Sequence, residues 1–171
     1  FHWSESVHPF VQRCVFSSGD SKLFHSPAAG AWYGLVSDHI VQSRVLFPGV
    51  GYLELARAAA TNAAAPSALE GVYFLQPLAV EAPRLVVECA ISDGRFEVRS
   101  GDGGAFAETT VHCSGAVATD RAWQCVDHAS RHTLSRAADV AALYDGFDAV
   151  GLQYGPGYRT LVNVWGGAND A

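Results

Sequence analysis

The segment from Val50 to Ala60 constrains the fold more than any other, because it predicts a helix with almost no polar surface. Its polar residues are Glu54 and Arg57. With Thr61, the residue that follows the segment, they fall on one narrow stripe of the helix surface. Such a helix must be buried on nearly all sides. With 171 residues and 49% apolar composition, the chain can bury one substantial core, or one complete unit and the beginning of a second.

Apolar and alternating segments on both sides of this helix predict β-strands. The predicted strands are 7–10, 14–16, 23–24, 31–36, 39–47, 72–75, 84–91, 95–100, 106–117 and 160–165. Turns at 92–94 and 101–104 join the three strands between 84 and 117 into an antiparallel meander. A buried helix followed by such a meander predicts an α+β fold of the hot-dog type.

His39 opens the run that ends at Phe47, and this run predicts a strand with apolar residues on both faces. Such a strand is covered on both sides, so we expect His39 to lie near the interior. Imidazole exchanges protons near neutral pH, which makes His39 a candidate general base. A structural core histidine is the alternative.

Pro48 and Gly49 end that strand and begin the helix. The first turn of a helix directs unpaired N–H groups and the positive end of its dipole outward, so this corner could hold a developing oxyanion. A base and an oxyanion site joined by one strand and one turn suit proton abstraction beside a thioester or another carbonyl. An ordinary helix start is the competing interpretation of Pro48 and Gly49.

Residues 118–136 are polar and poorly periodic and predict a linker. Ser135, near the end of this segment, could cap a second helix. The apolar positions of that helix recur with helical spacing: Val140, Leu143, Tyr144 and Phe147. Residues 151–159 then read GLQYGPGYR. Tyr154 could donate a hydrogen bond to a substrate or line an acyl tunnel, and a buried structural role is the alternative.

Three motifs carry a resemblance to a known family. A histidine, eight further residues and a proline, followed directly by GVGYLELA at 49–56, closely resemble the first motif of polyketide synthase dehydratase domains, with Ser43 where the family usually has glycine. The segment 151–158 resembles its GLxYGPxF motif, with Tyr158 in place of phenylalanine. The piece at 8–10 also resembles the start of the family, although His8 before proline is more simply an extended structural residue.

The resemblance implies a double hot-dog domain, in which a curved antiparallel sheet wraps a long central helix. Its first unit would be residues 1–117, with a linker at 118–136 and the start of the second unit at 137–171. The family's acid is an aspartate on the central helix of the second unit. We therefore expect this residue beyond position 171. None of Asp139, Asp145 and Asp148 lies in the family's pattern for it.

The resemblance also implies a reaction. His39 would remove the α-proton of a β-hydroxyacyl thioester on an acyl carrier protein, giving an α,β-unsaturated thioester. The backbone at Gly49 would bind the thioester oxygen, Pro48 would fix the corner that aims it, and Tyr154 and Gly155 would contact the substrate. A dehydratase-like isomerase, a pyran-forming cyclase and a degenerate, non-catalytic domain are the alternatives.

Composition excludes several other classes of function. The net charge is −6 without a basic stripe, which argues against a nucleic acid partner. The four cysteines form no CxxC pair, and His128 and His132 lack a third ligand, so no metal site is predicted. No apolar run is long enough to span a membrane.

The expected setting is a cytoplasmic multidomain enzyme with reduced thiols. The chain contains no methionine, so we expect it to have been excised from a longer polypeptide. Its expected partners are an acyl carrier protein and the remaining domains of a polyketide synthase, with a homodimer left open. No cofactor is expected beyond the phosphopantetheine that carries the substrate.

Overall fold

A curved, six-stranded antiparallel sheet with the order β1-β2-β6-β7-β8-β5 forms the body of the molecule. The computed structural model describes residues 8–61, 68–103, 109–118 and 136–166. The strands of this sheet are β1 (Arg13–Ser18), β2 (Ser21–Pro27), β5 (Ala68–Phe74), β6 (Leu85–Ser92), β7 (Arg95–Asp102) and β8 (Thr110–Ala118). The remaining elements are helices α1 (Ala31–Val36), α2 (Gly49–Ala60) and α3 (Val140–Ala149), a 3₁₀ turn (Pro156–Tyr158), and two short strand pairs, β3 (Ile40–Val41) with β4 (Arg44–Val45) and β9 (Arg136–Ala137) with β10 (Trp165–Gly166).

Helix α2 packs on one face of this sheet, as the sequence predicts, and contacts β5, β6, β7 and β8. Its buried residues are Gly51, Tyr52, Leu55, Ala56 and Ala59. The expectation that nearly the whole helix is buried is wrong in part, because Val50 is 69% exposed. Apolar composition alone does not reveal which face of a helix meets the sheet.

The predicted meander of β6, β7 and β8 is confirmed. In β7, Phe96 and Val98 face the core while Arg95 is exposed, which is the alternation of a sheet with one covered face. Part of the predicted strand 106–117 lies outside the described residues, and β8 begins at Thr110. Its register against β7 shifts between Val98 and Arg99, which leaves His112 as an extra residue in a bulge.

The predicted strand at 31–36 is wrong, because these residues form helix α1. Trp32 and Val36 are fully buried at 0% exposure, whereas Tyr33 and Leu35 are 39% and 46% exposed. Burial at positions i and i+4 is the pattern of a short amphipathic helix. A six-residue apolar run is too short for periodicity to separate the two structures.

The predicted strand 39–47 is also wrong, because it folds back on itself as a hairpin. Ile40 pairs with Val45 and Val41 pairs with Arg44, which leaves Gln42 and Ser43 as a two-residue loop. Both loop residues have positive φ, 49° and 62°, as a type I′ turn requires. That turn usually contains Asn-Gly or a similar pair, so the sequence carries no ordinary signal for it.

Two smaller predictions are corrected at the ends of the described chain. In the predicted strand 7–10, His8 forms only an isolated bridge to Val11 on the other side of a turn, and Val7 lies outside the described residues. In the predicted strand 160–165, only Trp165 is extended, and it pairs with Ala137. In both places a proline or glycine lies within or next to the segment and limits its pairing.

Helix α3 confirms the second predicted helix, but its N-cap is Asp139. The carboxylate of Asp139 accepts hydrogen bonds from the backbone N–H groups of Ala141 and Ala142 at 2.9 and 3.3 Å. Ser135, the predicted cap, lies outside the described residues, as does most of the predicted linker. No helix among the described residues is long and apolar enough to cross a bilayer.

Candidate functional site

The β3–β4 hairpin determines where His39 lies. A continuous strand would place His39 roughly 23 Å from Leu46, at about 3.3 Å per residue. The hairpin instead brings the two side by side, and the Leu46 N–H donates to the His39 carbonyl oxygen at 3.1 Å. His39 is therefore held beside a residue that lies two positions before Pro48. The hairpin, rather than a strand, connects the candidate base to the candidate oxyanion corner.

The His39 ring is half-buried and oriented by a single backbone group. Its Nδ1 lies 2.8 Å from the Leu46 carbonyl oxygen. A carbonyl oxygen can only accept, so Nδ1 carries the proton and the neutral ring keeps a lone pair on Nε2. Among the residues that the structure describes, none forms a hydrogen bond with Nε2. This is the tautomer and the free nitrogen that a general base requires.

Two tyrosines from the distant segment 151–159 pack on this ring. The Tyr154 ring stacks on His39, with centroids 5.4 Å apart and planes 24° apart. The Tyr158 ring lies 5.1 Å away at 51°. The Tyr158 hydroxyl donates to the Leu35 carbonyl at 3.2 Å, and burial, followed by the nearby Asp38 and Tyr154, raises the pKa of Tyr158. Tyr158 therefore stays protonated at neutral pH, and both rings shield one side of the imidazole.

Backbone hydrogen bonds attach this segment to the hairpin. The Gln42 N–H donates to the Gly151 carbonyl at 2.6 Å, and the Gln153 N–H donates to the Ile40 carbonyl at 2.8 Å. The side chain of Gln153 accepts from the Ser43 N–H at 2.7 Å and from the Ser43 hydroxyl at 3.2 Å. Residues more than 100 positions apart thus form one unit around His39.

The serine that departs from the family motif is accommodated by these contacts. Ser43 lies in the left-handed region, where glycine is favoured because a Cβ costs energy there. Its two hydrogen bonds to Gln153 offset part of that cost. The serine therefore fits the hairpin turn without a change in its path.

Pro48 and Gly49 form the predicted corner at the start of α2. Pro48 is the N-cap residue with extended dihedrals, φ −70° and ψ 149°, and Gly49 is the first helical residue. Pro48 is buried and Gly49 is exposed. A Cβ at Gly49 would lie 3.7 Å from the Phe74 ring, which is ordinary van der Waals contact, so the space there does not require glycine. The Gly51 N–H donates to the Pro48 carbonyl at 2.9 Å, so the N–H groups that the exposed start of α2 presents are those of Gly49 and Val50.

Below the corner, an aromatic cluster fixes the position of Phe47. Its ring stacks on Trp32 with centroids 4.8 Å apart and meets Tyr52 edge to face at 4.7 Å. A Cβ at Gly51 would approach that ring to 2.8 Å, so glycine is required there for space. Because Phe47 follows Leu46 directly, this packing also fixes the carbonyl that orients His39.

Of the residues predicted for the site, the structure brings His39 and Tyr154 into direct contact. Pro48 and Gly49 are linked to His39 through Leu46, and Gly155 contacts Asp38 rather than the imidazole. Sequence reasoning missed the parts played by Asp38, Gln153 and Tyr158. Asp38 comes directly before His39 in the chain, and this position alone did not reveal its contacts with the segment 151–159.

The other histidine of the family-like motifs, His8, is tied to α2. The Phe10 N–H donates to its Nδ1 at 3.2 Å, so Nε2 carries the proton and donates to the Glu54 carboxylate at 3.2 Å. Hydrogen bonds from Arg57, and then His8, lower the pKa of Glu54, which is therefore charged at neutral pH. His8 joins the N-terminal segment to the central helix, as expected of a structural residue.

The two buried thiols among the described residues stay protonated. Burial raises the pKa of Cys113 to about 11 and that of Cys89 to about 12, so both stay protonated. Cys14 is exposed on β1, and Cys125 lies outside the described residues. Within the described ranges, no three His, Cys, Asp or Glu side chains gather into a cluster that could hold a metal ion. His128 and His132 are not among those ranges.

Comparisons with known proteins agree with this arrangement. Residues 8–100 match the family model described as a polyketide synthase dehydratase domain. The chain is 34% identical to polyketide synthase ThaG of Burkholderia thailandensis over 157 residues, which are 80% of this chain and 3% of that protein. It is 29% identical to polyketide synthase PksM of Bacillus subtilis over 180 residues, which are 96% of this chain and 4% of that protein.

Solved structures give the same result for the fold. The crystal structure of the dehydratase domain from the terminal module of the rifamycin polyketide synthase superimposes with a TM-score of 0.76 at 27% identity. The match covers 92% of this chain and 60% of that one. The curved sheet around α2 is thus the hot-dog unit of such domains, which confirms the predicted α+β fold. The boundaries 1–117, 118–136 and 137–171 stay predictions.

Proposed function

Since this chain belongs to the family of polyketide synthase dehydratase domains, we propose that it eliminates water from a β-hydroxyacyl thioester. The substrate would be carried on the phosphopantetheine arm of an acyl carrier protein, within a multidomain polyketide synthase. In the proposed reaction His39 takes the proton from the α-carbon and the electron pair forms the Cα–Cβ double bond. The β-hydroxyl takes a proton from the acid, which by the family resemblance is an aspartate of the second hot-dog unit, and leaves as water. No redox group is required, because no electron is gained or lost overall.

The hydrogen bond from His39 Nδ1 to the Leu46 carbonyl is the observation that carries this proposal. It places the proton on Nδ1 and leaves the lone pair of Nε2 for the substrate. When Nε2 takes a proton, Nδ1 keeps its hydrogen bond to the Leu46 carbonyl oxygen, so the ring does not have to reorient during proton transfer. The stacked Tyr154 ring adds a π-face beside the same cation.

The start of α2 supports the second part of the reaction. Removal of the α-proton moves negative charge onto the thioester oxygen, and the backbone N–H at Gly49 would stabilise it, while Pro48, which has no N–H, would fix the corner. The contribution of this N–H would be large because it is already oriented before the charge develops. The hairpin sets the distance between this corner and His39, so base and oxyanion donors would act on adjacent atoms of one substrate.

Tyr154 and Gly155 would form the wall of the site opposite the corner. The Arg159 side chain donates to the Tyr154 carbonyl at 2.7 Å, which holds the backbone of that wall in place.

The acid that protonates the leaving hydroxyl is not assigned to Asp139, Asp145 or Asp148, which do not lie in the family's pattern for that residue. Asp139 caps α3, and Asp145 and Asp148 lie on the exposed surface of the same helix. Asp38 is engaged by the N–H of Gly157.

The isomerase, cyclase and non-catalytic alternatives are not favoured. Ser43, which departs from the family motif, lies in a turn that hydrogen bonds to Gln153 support. The site retains His39 in a tautomer suited to proton abstraction.

The test is an assay of the dehydratase domain that contains both hot-dog units, with a β-hydroxyacyl thioester as substrate. We expect the α,β-unsaturated thioester as product, and exchange of the α-hydrogen with deuterated solvent at a rate that depends on His39. A domain that exchanges the α-hydrogen but shifts an existing double bond instead of releasing water would favour the isomerase. No turnover of any acyl thioester would overturn the proposal.

A further inference from the structure

Asp38, the residue before His39, forms a clamp on the segment 151–159. Its carboxylate Oδ2 accepts from the Gly157 N–H at 2.7 Å, and its backbone carbonyl accepts from the Gly155 N–H at 2.8 Å. The aspartate therefore holds the same turn at two points, one through its side chain and one through its main chain.

The two glycines are complementary to this carboxylate. A Cβ at Gly155 would collide with the Asp38 carboxyl group, and a Cβ at Gly157 would lie 2.9 Å from Oδ2. Neither position has positive φ, so backbone conformation does not explain the glycines. They are needed because the carboxylate occupies the space that a side chain would take. A close approach of this kind allows charge-assisted hydrogen bonds to the backbone.

The clamped turn carries both rings that pack on His39. Tyr154 comes directly before Gly155, and Tyr158 comes directly after Gly157. Its 3₁₀ turn, Pro156–Tyr158, is only three residues long, so a shift at Gly157 moves Tyr158 with it. The hydrogen bond from the Tyr158 hydroxyl to Leu35 holds the end of the turn. Asp38 holds the two glycines in its middle, Gly155 and Gly157.

We propose that Asp38 is a positioning residue, which sets the Tyr154 and Tyr158 rings against the His39 imidazole through the Gly155–Gly157 turn. It contacts neither the imidazole nor the substrate in this role. Adjacent residues of the chain are thus used for two purposes: His39 for proton transfer and Asp38 for the walls around it. The inference rests on the proposed function for its catalytic consequence, but not for its geometry.

The geometry is tested by NMR of the 171-residue chain with labelled histidine. Ring currents from the two tyrosines displace the His39 carbon-bound protons. We expect Asp38→Ala to remove that displacement and Asp38→Asn to retain it, because the asparagine oxygen still accepts from Gly157. Asp20→Ala, which removes a carboxylate from the distant β1–β2 turn, is the matched control and should change nothing. Unchanged His39 signals in a folded Asp38→Ala chain would overturn the proposal.

Gly157→Ala tests the clamp from its other side. It pushes the turn away from an intact Asp38, so it should displace the His39 signals in the same direction as Asp38→Ala. In the Asp38→Ala background it should cost less thermal stability than in the wild-type chain, because the carboxylate is gone. Additive losses of Tm would contradict the clamp. Loss of all folded structure in Asp38→Ala would also overturn the proposal, since the residue would then support the whole fold.

The catalytic consequence is measured in the domain that contains both hot-dog units. A base misplaced by a fraction of an ångström to an ångström lowers kcat by about 10- to 100-fold, and we expect this for Asp38→Ala with a smaller change in KM. Asp38→Asn should recover most of kcat. If the wild-type domain itself has no dehydratase activity, the proposed function fails, whereas the NMR result still decides the role of Asp38.

Discussion

His39 and His112 occupy regions built for opposite purposes. His112 is buried at 3% exposure between the sheet and α2, and both of its ring nitrogens have partners: the Gln76 carbonyl at 3.1 Å and the Ser100 hydroxyl at 2.7 Å. His39 is half-buried, with Nδ1 bound to Leu46. The difference shows that burial alone does not identify a catalytic histidine. What separates the two is whether a nitrogen is left for a substrate.

The surroundings of the His112 and His39 rings also differ. Burial lowers the pKa of His112, and its hydrogen bonds to the backbone at Gln76 and Pro77 oppose that effect only in part. The Tyr52 ring from α2 lies parallel to it, with centroids 6.4 Å apart. His112 is thus a neutral residue of the core. The walls around His39 come instead from a distant segment attached by hydrogen bonds.

The largest expected effect separates activity from stability. His39→Ala should lower the dehydration rate by about 10²- to 10⁴-fold, because the general base is lost. Its free energy of unfolding should change by about 1 kcal/mol or less, because one hydrogen bond at a half-buried site is removed. Turnover and urea unfolding are measured on the same variant of the domain with both units. Turnover close to that of the wild type would remove His39 from the mechanism.

His112→Ala should show the reverse pattern. It leaves a cavity and removes the partner of the buried Ser100 hydroxyl, which together cost about 2–4 kcal/mol of unfolding free energy. Ser100→Ala is the control, and it should cost about 1 kcal/mol because it removes the hydrogen bond with little volume. Both values come from chemical denaturation at neutral pH. A change in unfolding free energy below about 0.5 kcal/mol in His112→Ala would mean that the ring is not part of the core.

The lowered pKa of His112 predicts a dependence of stability on pH. At pH values above about 6.5 the ring is neutral in both states and contributes no slope. Below that value the unfolded chain binds the proton before the folded chain does. The free energy of unfolding therefore decreases as the pH is lowered, by at most about 1.4 kcal/mol per pH unit, until the lower folded pKa of His112 is passed.

Denaturation curves between pH 7 and pH 5 measure this slope, with about five points across the range. His112→Gln is the matched variant, because it removes the titrating group and keeps polar atoms near Ser100. We expect a flatter profile in this variant. An identical slope in the two proteins would assign the acid sensitivity to other groups.

The smallest expected effect concerns the turn that brings His39 to Leu46. Ser43→Gly relieves the cost of a positive φ and loses the hydroxyl bond to Gln153, so we expect a net gain of about 0.5 kcal/mol in unfolding free energy. Ser43→Val introduces a β-branched side chain in the left-handed region and should destabilise by about 1–2 kcal/mol. Thermal and urea unfolding measure both. A loss of stability in Ser43→Gly would show that the bond to Gln153 outweighs the strain.

Much of the scaffold was predictable because it depends on local pattern. The α2 helix, the meander of β6 to β8 and the α3 helix follow from apolar periodicity and turn residues at fixed offsets. The errors at 31–36 and 39–47 occurred where short apolar runs fit either a strand or another structure. His112 shows a further limit, because a bulge in β8 turns both His112 and Cys113 into the core.

The sequence by itself determined the hot-dog order, the family and the choice of His39, because the spacing from His39 to Pro48 and the second motif are properties of the chain. Only the tertiary structure decided how these parts meet. The Gln42–Ser43 turn lacks the residues that usually form it and is supported by Gln153, 110 positions away from Ser43. The tyrosine walls depend likewise on Asp38 reaching Gly157, 119 positions away. Contacts between residues so far apart in the chain form only when the fold brings both segments together, so no local pattern predicts them.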